Sequence, residues 1–187
     1  MPKVRIVQIP KALNGLAIGG NGHQMLSEDT VLLGGRKHAQ GGTDINYLNN
    51  AVEAEAGETV SIMNDDSAVV FGNMYNPLTG RKFKEDSKRL AKKEQKIDKL
   101  LDYSVDLVNT SDPRDKWDLL KFNSGRVQME GAFKKKGELQ QSKEHLSTIQ
   151  NAMLDYAAEN NLDPGSFSKG QFKQAKSDRT AQNGISL

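Results

Sequence analysis

The chain has 187 residues, 36% of them hydrophobic, and a mean hydropathy of −0.66; one ordinary domain or two small ones can form, but one large central core is not expected. It holds no cysteine and carries a formal net charge of +2, which excludes disulfides and thiolate-bound metals. Met1–Val7 is basic without the continuous apolar stretch of a secretory leader, and no run approaches the roughly 20 apolar residues of a membrane span, so the expectation is a soluble protein made in a reducing cytoplasm, with no membrane partner.

Eleven of the 17 glycines fall in the first 80 residues. Residues 1–30, with Asn14-Gly15 and Gly19-Gly20-Asn21-Gly22, show neither a helical stripe nor sustained alternation and read as an extended arm. A small β module follows over 31–75. Val52, Ala54 and Ala56 alternate with Glu53 and Glu55; Val60 and Ile62 alternate with Thr59 and Ser61; Val69 and Phe71 come after the polar turn Asn64–Ser67. Three or so short strands are predicted. Their side chains are mostly small, and at about 25 cal/mol per Å² the module needs helices or neighbours to lean on.

Asn76-Pro77-Leu78-Thr79-Gly80 reads as a turn that opens a helical region over 81–177. Phe83, Leu90 and Ile97 recur seven apart, which predicts a first helix over Phe83–Val108 with a narrow apolar seam and a lysine-rich back. A second helix is predicted from Asp112 as N-cap and Pro113 at the first helical position, anchored by Trp117, Leu120 and Phe122 and ended by Ser124-Gly125. Gly131–Gly137 reads as an exposed connection. Leu139, Ser142, Leu146, Ile149, Met153 and Tyr156 then predict a third helix over Glu138–Asn160. A short helix over Phe167–Lys176 and a flexible tail over 178–187 complete an α+β chain: extended N-terminal arm, small β module, mainly helical C-terminal half.

Charge is segregated along the chain. Thr43–Gly72 holds six acidic residues and no lysine or arginine, whereas Arg81–Leu100 carries nine basic residues against four acidic ones. Such blocks complement each other internally or face different partners. Candidate chemistry is sparse beside this. His38 lies between Gly34-Gly35 and Gly41-Gly42, but the three histidines form neither HxxxH nor HExxH, and the glycine pairs lack the lysine and serine of a phosphate loop. Glu53, Glu55 and Glu58 invite an acid–base or calcium reading, but Glu53 and Glu55 share one strand face and read as a solvated face opposite Val52, Ala54 and Ala56. No serine stands in a nucleophile-elbow context. No catalytic residue, metal or cofactor is assigned. The residues picked out are contact candidates: His38, Gly41 and Gly42 for a special turn, Glu53, Glu55 and Glu58 for one partner, Arg81, Lys88, Lys92 and Lys96 for another, and Trp117. Residues 81–99 also invite a DNA reading through phosphate contacts, although four acids within the block dilute its field.

The succession Gly34-Gly35, His38, Gly41-Gly42, Ile45, the strand Glu53–Val60, Val69-Val70-Phe71 and the run Asn76-Pro77-Leu78-Thr79-Gly80-Arg81-Lys82-Phe83-Lys84-Glu85-Asp86 resembles a pattern in virion proteins of crAss-like tailed bacteriophages of gut Bacteroidales. The resemblance covers about residues 34–92. Thr43-Asp44 separates Gly42 from Ile45, and Ala56 stands where glycine is common in that pattern. What the resemblance implies is a non-enzymatic structural protein of the virion, assembled in the host cytoplasm and lodged in the portal and tail lumen or capsid as cargo that leaves with the genome. Its implied partners are portal, ring, tail or muzzle-type proteins, with weak contact to packaged DNA. The alternative is a DNA-associated accessory protein acting through residues 81–99.

Overall fold

Strand formation begins inside the segment expected as an arm. The computed structural model describes residues 16–18, 22–37, 40–47 and 50–163. Within them are seven short strands: β1 (Leu16–Ile18), β2 (Gln24–Met25), β3 (Thr30–Leu32), β4 (Thr43–Tyr47), β5 (Asn50–Ala54), β6 (Thr59–Ile62) and β7 (Ala68–Phe71). They pair antiparallel throughout, in a three-stranded sheet of order β1-β4-β5 and a four-stranded sheet of order β2-β3-β6-β7. Three strands were expected, so the module is larger than its sequence signal. β4 carries little strand signal in sequence because its outward positions are Asp44 and Asn46, residues depleted in strands, while Thr43 and Ile45 alternate with them and are buried. His38, the N-terminal part of the expected arm, the helix expected over 167–176 and the tail at 178–187 lie outside the described residues.

The four-stranded sheet is the middle of three layers. Val31, Leu33, Val60 and Ile62 pack with Ile45 and Ala54 of the other sheet. On its opposite face Phe71, with Met63 and Met74 beside it, packs on Phe83, Leu146 and Ala157 of two helices. The alternation in β6 reads from sequence as half-buried, yet all four of its residues are buried. Its polar members face the helices with their hydroxyls satisfied. Thr59 Oγ1 donates to Ser87 Oγ at 2.9 Å, and the Ser61 and Thr30 hydroxyls lie 2.8 Å apart.

Two helices form the third layer, where three were expected up to Asn160. α1 (Phe83–Thr110) has 28 residues and α2 (Lys116–Glu159) has 44, about 42 and 66 Å at 1.5 Å per residue. Asp115, not Asp112, caps α2: its carboxylate accepts from the amides of Trp117 (2.8 Å) and Asp118 (3.1 Å). Ser124-Gly125 does not end the helix, nor is Gly131–Gly137 a connection, because α2 runs through all of them. Tertiary packing overrides glycine's poor propensity here. At Gly125 the reason is visible, since an added Cβ would come within 2.9 Å of Val108 Cγ2 and 3.1 Å of the Ser104 carbonyl oxygen. The missing side chain lets the helices approach. The expected stop at Asn160-Asn161 holds: Asn161 turns left-handed at φ 52°, and the Leu162 amide bonds back to the Ala157 carbonyl at 2.9 Å.

Candidate functional site

The turn before α1 is built around one carboxylate. Asp86, in the first helical turn, accepts from Asn76 Nδ2 at 3.0 Å, Thr79 Oγ1 at 2.5 Å and Arg81 Nε at 2.6 Å, while Asn76 Oδ1 accepts from the Leu78 amide at 2.9 Å. Asn76 and Asp86 are buried. The run from Asn76 to Asp86 therefore joins the β module to α1, and Arg81, expected at a partner surface, is half-buried in an internal ion pair.

A second ionic cluster locks the helices to the sheets. Lys143, 1% exposed, donates to both oxygens of Asp29 (2.5 and 2.7 Å) in the β2–β3 turn and to Glu94 Oε2 (2.6 Å) of α1. Two carboxylates thus share one ammonium. Burial pushes the Glu94 carboxyl above its ordinary range; Lys143 opposes that rise and the Asp29 charge adds to it. For Asp29 burial also acts upward, but the charge and hydrogen bonds of Lys143 outweigh it and the net shift is downward. One helical turn pair away, Lys136 bridges Glu28 and Asp98 at 2.8 Å each.

These partners change the reading of the basic block. Of its four acids, Asp86 is held by Arg81, Glu94 by Lys143 and Asp98 by Lys136. Only Glu85 is exposed. The outward face of α1 accordingly presents Arg89, Lys92, Lys96 and Lys99, all exposed and at three- and four-residue spacing. Lys88 is half-buried beside this row; burial, then the neighbouring Lys84 charge, lowers its pKa. An open groove of about 480 Å³ runs next to the row between α1, α2 and the turn, with Leu78, Leu90 and Ile149 along it and Arg89, Lys93 and His145 at its margins.

The acidic candidates separate. Glu53 is exposed opposite Asp44 across β4–β5, and its side chain crowds the position a Cβ on Gly42 would take. Gly41 and Gly42 both have positive φ, 86° and 57°, a conformation that favours glycine. Glu55 accepts from Asn73 Nδ2 at 3.0 Å, and Glu58 is buried with its Oε2 accepting from the Glu55 amide at 2.9 Å. Of the expected solvated pair Glu53 is exposed and Glu55 half-buried, while Glu58 is part of the fold.

Beyond Glu94 on α1 and before Lys136 on α2, no hydrogen bond or ion pair between the described residues reaches the strands. That part of the hairpin is a stem about 25–30 Å long. Its seam buries small groups, Ser104, Ser111, Gly125 and Ala132, while Trp117 is 71% exposed, Val127 70% and Leu120 60%. Trp117 and Leu120 were expected to anchor the fold, and they do not; a two-helix hairpin has one inner seam, and these residues lie off it. Among the described residues no three histidine, aspartate or glutamate side chains are placed to hold a metal ion, and no helix is long and apolar enough to cross a membrane. In comparisons with known proteins, no family model, curated protein or solved structure matches the chain.

Proposed function

We propose that the chain is a non-enzymatic structural protein that works by contact, a component of a tailed-phage virion as the pattern over residues 34–92 implies. The observation that carries this reading is the stem, which holds Trp117, Leu120 and Val127 exposed on a helical arm with no hydrogen bond or ion pair to the strands among the described residues. Exposed large apolar groups in a row mark contact surfaces on folded proteins. The expected neighbours are portal, ring or tail proteins, with the chain carried as cargo in the lumen or capsid. Cross-linking and mass spectrometry of intact particles test this: links from stem lysines such as Lys121 and Lys134 to other virion proteins are expected. A chain missing from the particles and free in solution sinks the reading.

A second reading, a DNA-associated accessory protein, is favoured by the inward turn of three acids, which leaves Arg89, Lys92, Lys96 and Lys99 as a nearly pure cationic row. Neutralising phosphates with such a row makes affinity fall steeply with salt, by about 0.9 log unit per contacted phosphate per decade. Binding to a random duplex that weakens with salt, and weakens further in the Arg89→Glu/Lys92→Glu variant, is expected; no binding at low salt ends it.

A further inference from the structure

The outer side of α2 in the stem has a regular spacing that the single chain does not use. Trp117, Leu120, Ser124, Val127 and Gly131 follow one another at three- and four-residue steps, which aligns them along one edge of the helix like the a and d positions of a coiled coil. All five are exposed. The inward line is a different set, including Gly125, Ala132, Leu139 and Lys143, which faces α1 and the strands. α2 thus carries two seams, one of them uncovered over about 21 Å.

We propose that this outer seam pairs, antiparallel and about a two-fold axis, with the same seam of a second copy of the chain. The inference rests on the reading of the stem as a contact surface and names its partner. Size selects that partner first. An axis between Asn123 and Ser124 sets Leu120 level with Val127 and Trp117 within one residue of Gly131 of the second copy, the largest side chain beside the absent one. Gly131 is exposed and a Cβ built on it meets nothing within 4 Å, so no side chain of the same copy stands over that position. Charge agrees. Lys116 and Glu130 flank the seam on one side and both are exposed; antiparallel pairing brings each to the other's copy, twice by symmetry. The same register sets Lys121 beside Gln128 and Asn123 beside Asn123. Parallel pairing would instead oppose Lys116 to Lys121 and stack indole on indole. Four helical turns make a small interface, so the dimer is a weak one.

The chain has one tryptophan and no cysteine, so Trp117 emission reports on the seam alone. Sedimentation of the full chain from about 1 to about 200 µM should show a monomer–dimer equilibrium, with Trp117 emission shifting to the blue in parallel. Lys116→Glu, which places an acid in the first turn where a helix tolerates it, should weaken the dimer about tenfold or more, and Lys116→Glu/Glu130→Lys should restore it. A monomer across the whole range overturns the proposal, as does a charge swap that restores nothing. Blue-shifted emission at monomer mass and independent of concentration also overturns it, because the chain would then be covering its own seam. If stem lysines still cross-link to other proteins in particles while the isolated chain stays monomeric, the second copy is excluded and the structural reading stands; if neither is seen, both fall.

Discussion

Lys143 sits where the β2–β3 turn, α1 and α2 meet, with two carboxylates on one ammonium in a site that is almost dry. Removing the cation leaves two buried negative charges unpaired, so Lys143→Met should cost about 3–5 kcal/mol in a urea melt at neutral pH. Glu94→Gln should act the other way, because it removes the surplus charge. The folded state holds the Glu94 proton to higher pH than the unfolded chain, which releases it near 4.5; native Glu94 binds more protons in that window, and stability falls as pH rises through it. Glu94→Gln lacks this penalty, so its melts should exceed the parent's at pH 8 and converge with them toward pH 4.5. Asp29 has the opposite sign: its depressed pKa contributes stability above 3.8 that is lost as pH falls below. None of this was legible in sequence. Asp29, Glu94 and Lys143 lie far apart in the chain, each amid other charges, and only the packing of three elements selects these three for burial.

Elements were legible where one periodicity governed a whole segment. The seven-residue recurrence of Phe83, Leu90 and Ile97 predicts a first helix whose observed end lies within two residues of the expected one, and the stop signal at Asn160-Asn161 coincides with the end of α2. Sequence divides α2 into two helices and a connection because Gly125, Gly131 and Gly137 weaken local helical preference by up to about 1 kcal/mol each. The three glycines are not equivalent. Gly125→Ala should destabilise by about 1–3 kcal/mol through contact with Val108 and the Ser104 carbonyl. Gly137→Ala meets nothing within 4 Å and should stabilise by about 0.5–1 kcal/mol. Chemical melts of the two variants check the contrast.

Across the whole molecule the burial is uneven. The sheets and the adjoining ends of both helices share two apolar cores, whereas the stem buries mainly small side chains. Hydrogen exchange at low micromolar concentration should therefore show faster opening over 100–132 than over 83–94 and 139–157; uniform protection along both helices would contradict that. The same unevenness divides what was readable from what was not. Composition and periodicity alone determined the α+β class, the absence of disulfides, the first long helix and the opposed charge blocks, because these depend on residue type and near-neighbour spacing. Tertiary structure decided which charges remain exposed. Asp86, Glu94 and Asp98 look in sequence like acids that dilute a basic helix, and each is consumed by an internal cation; Trp117 looks like a core anchor and stands in solvent. Pairing and exposure are properties of elements brought together from distant parts of the chain, and no local pattern encodes them.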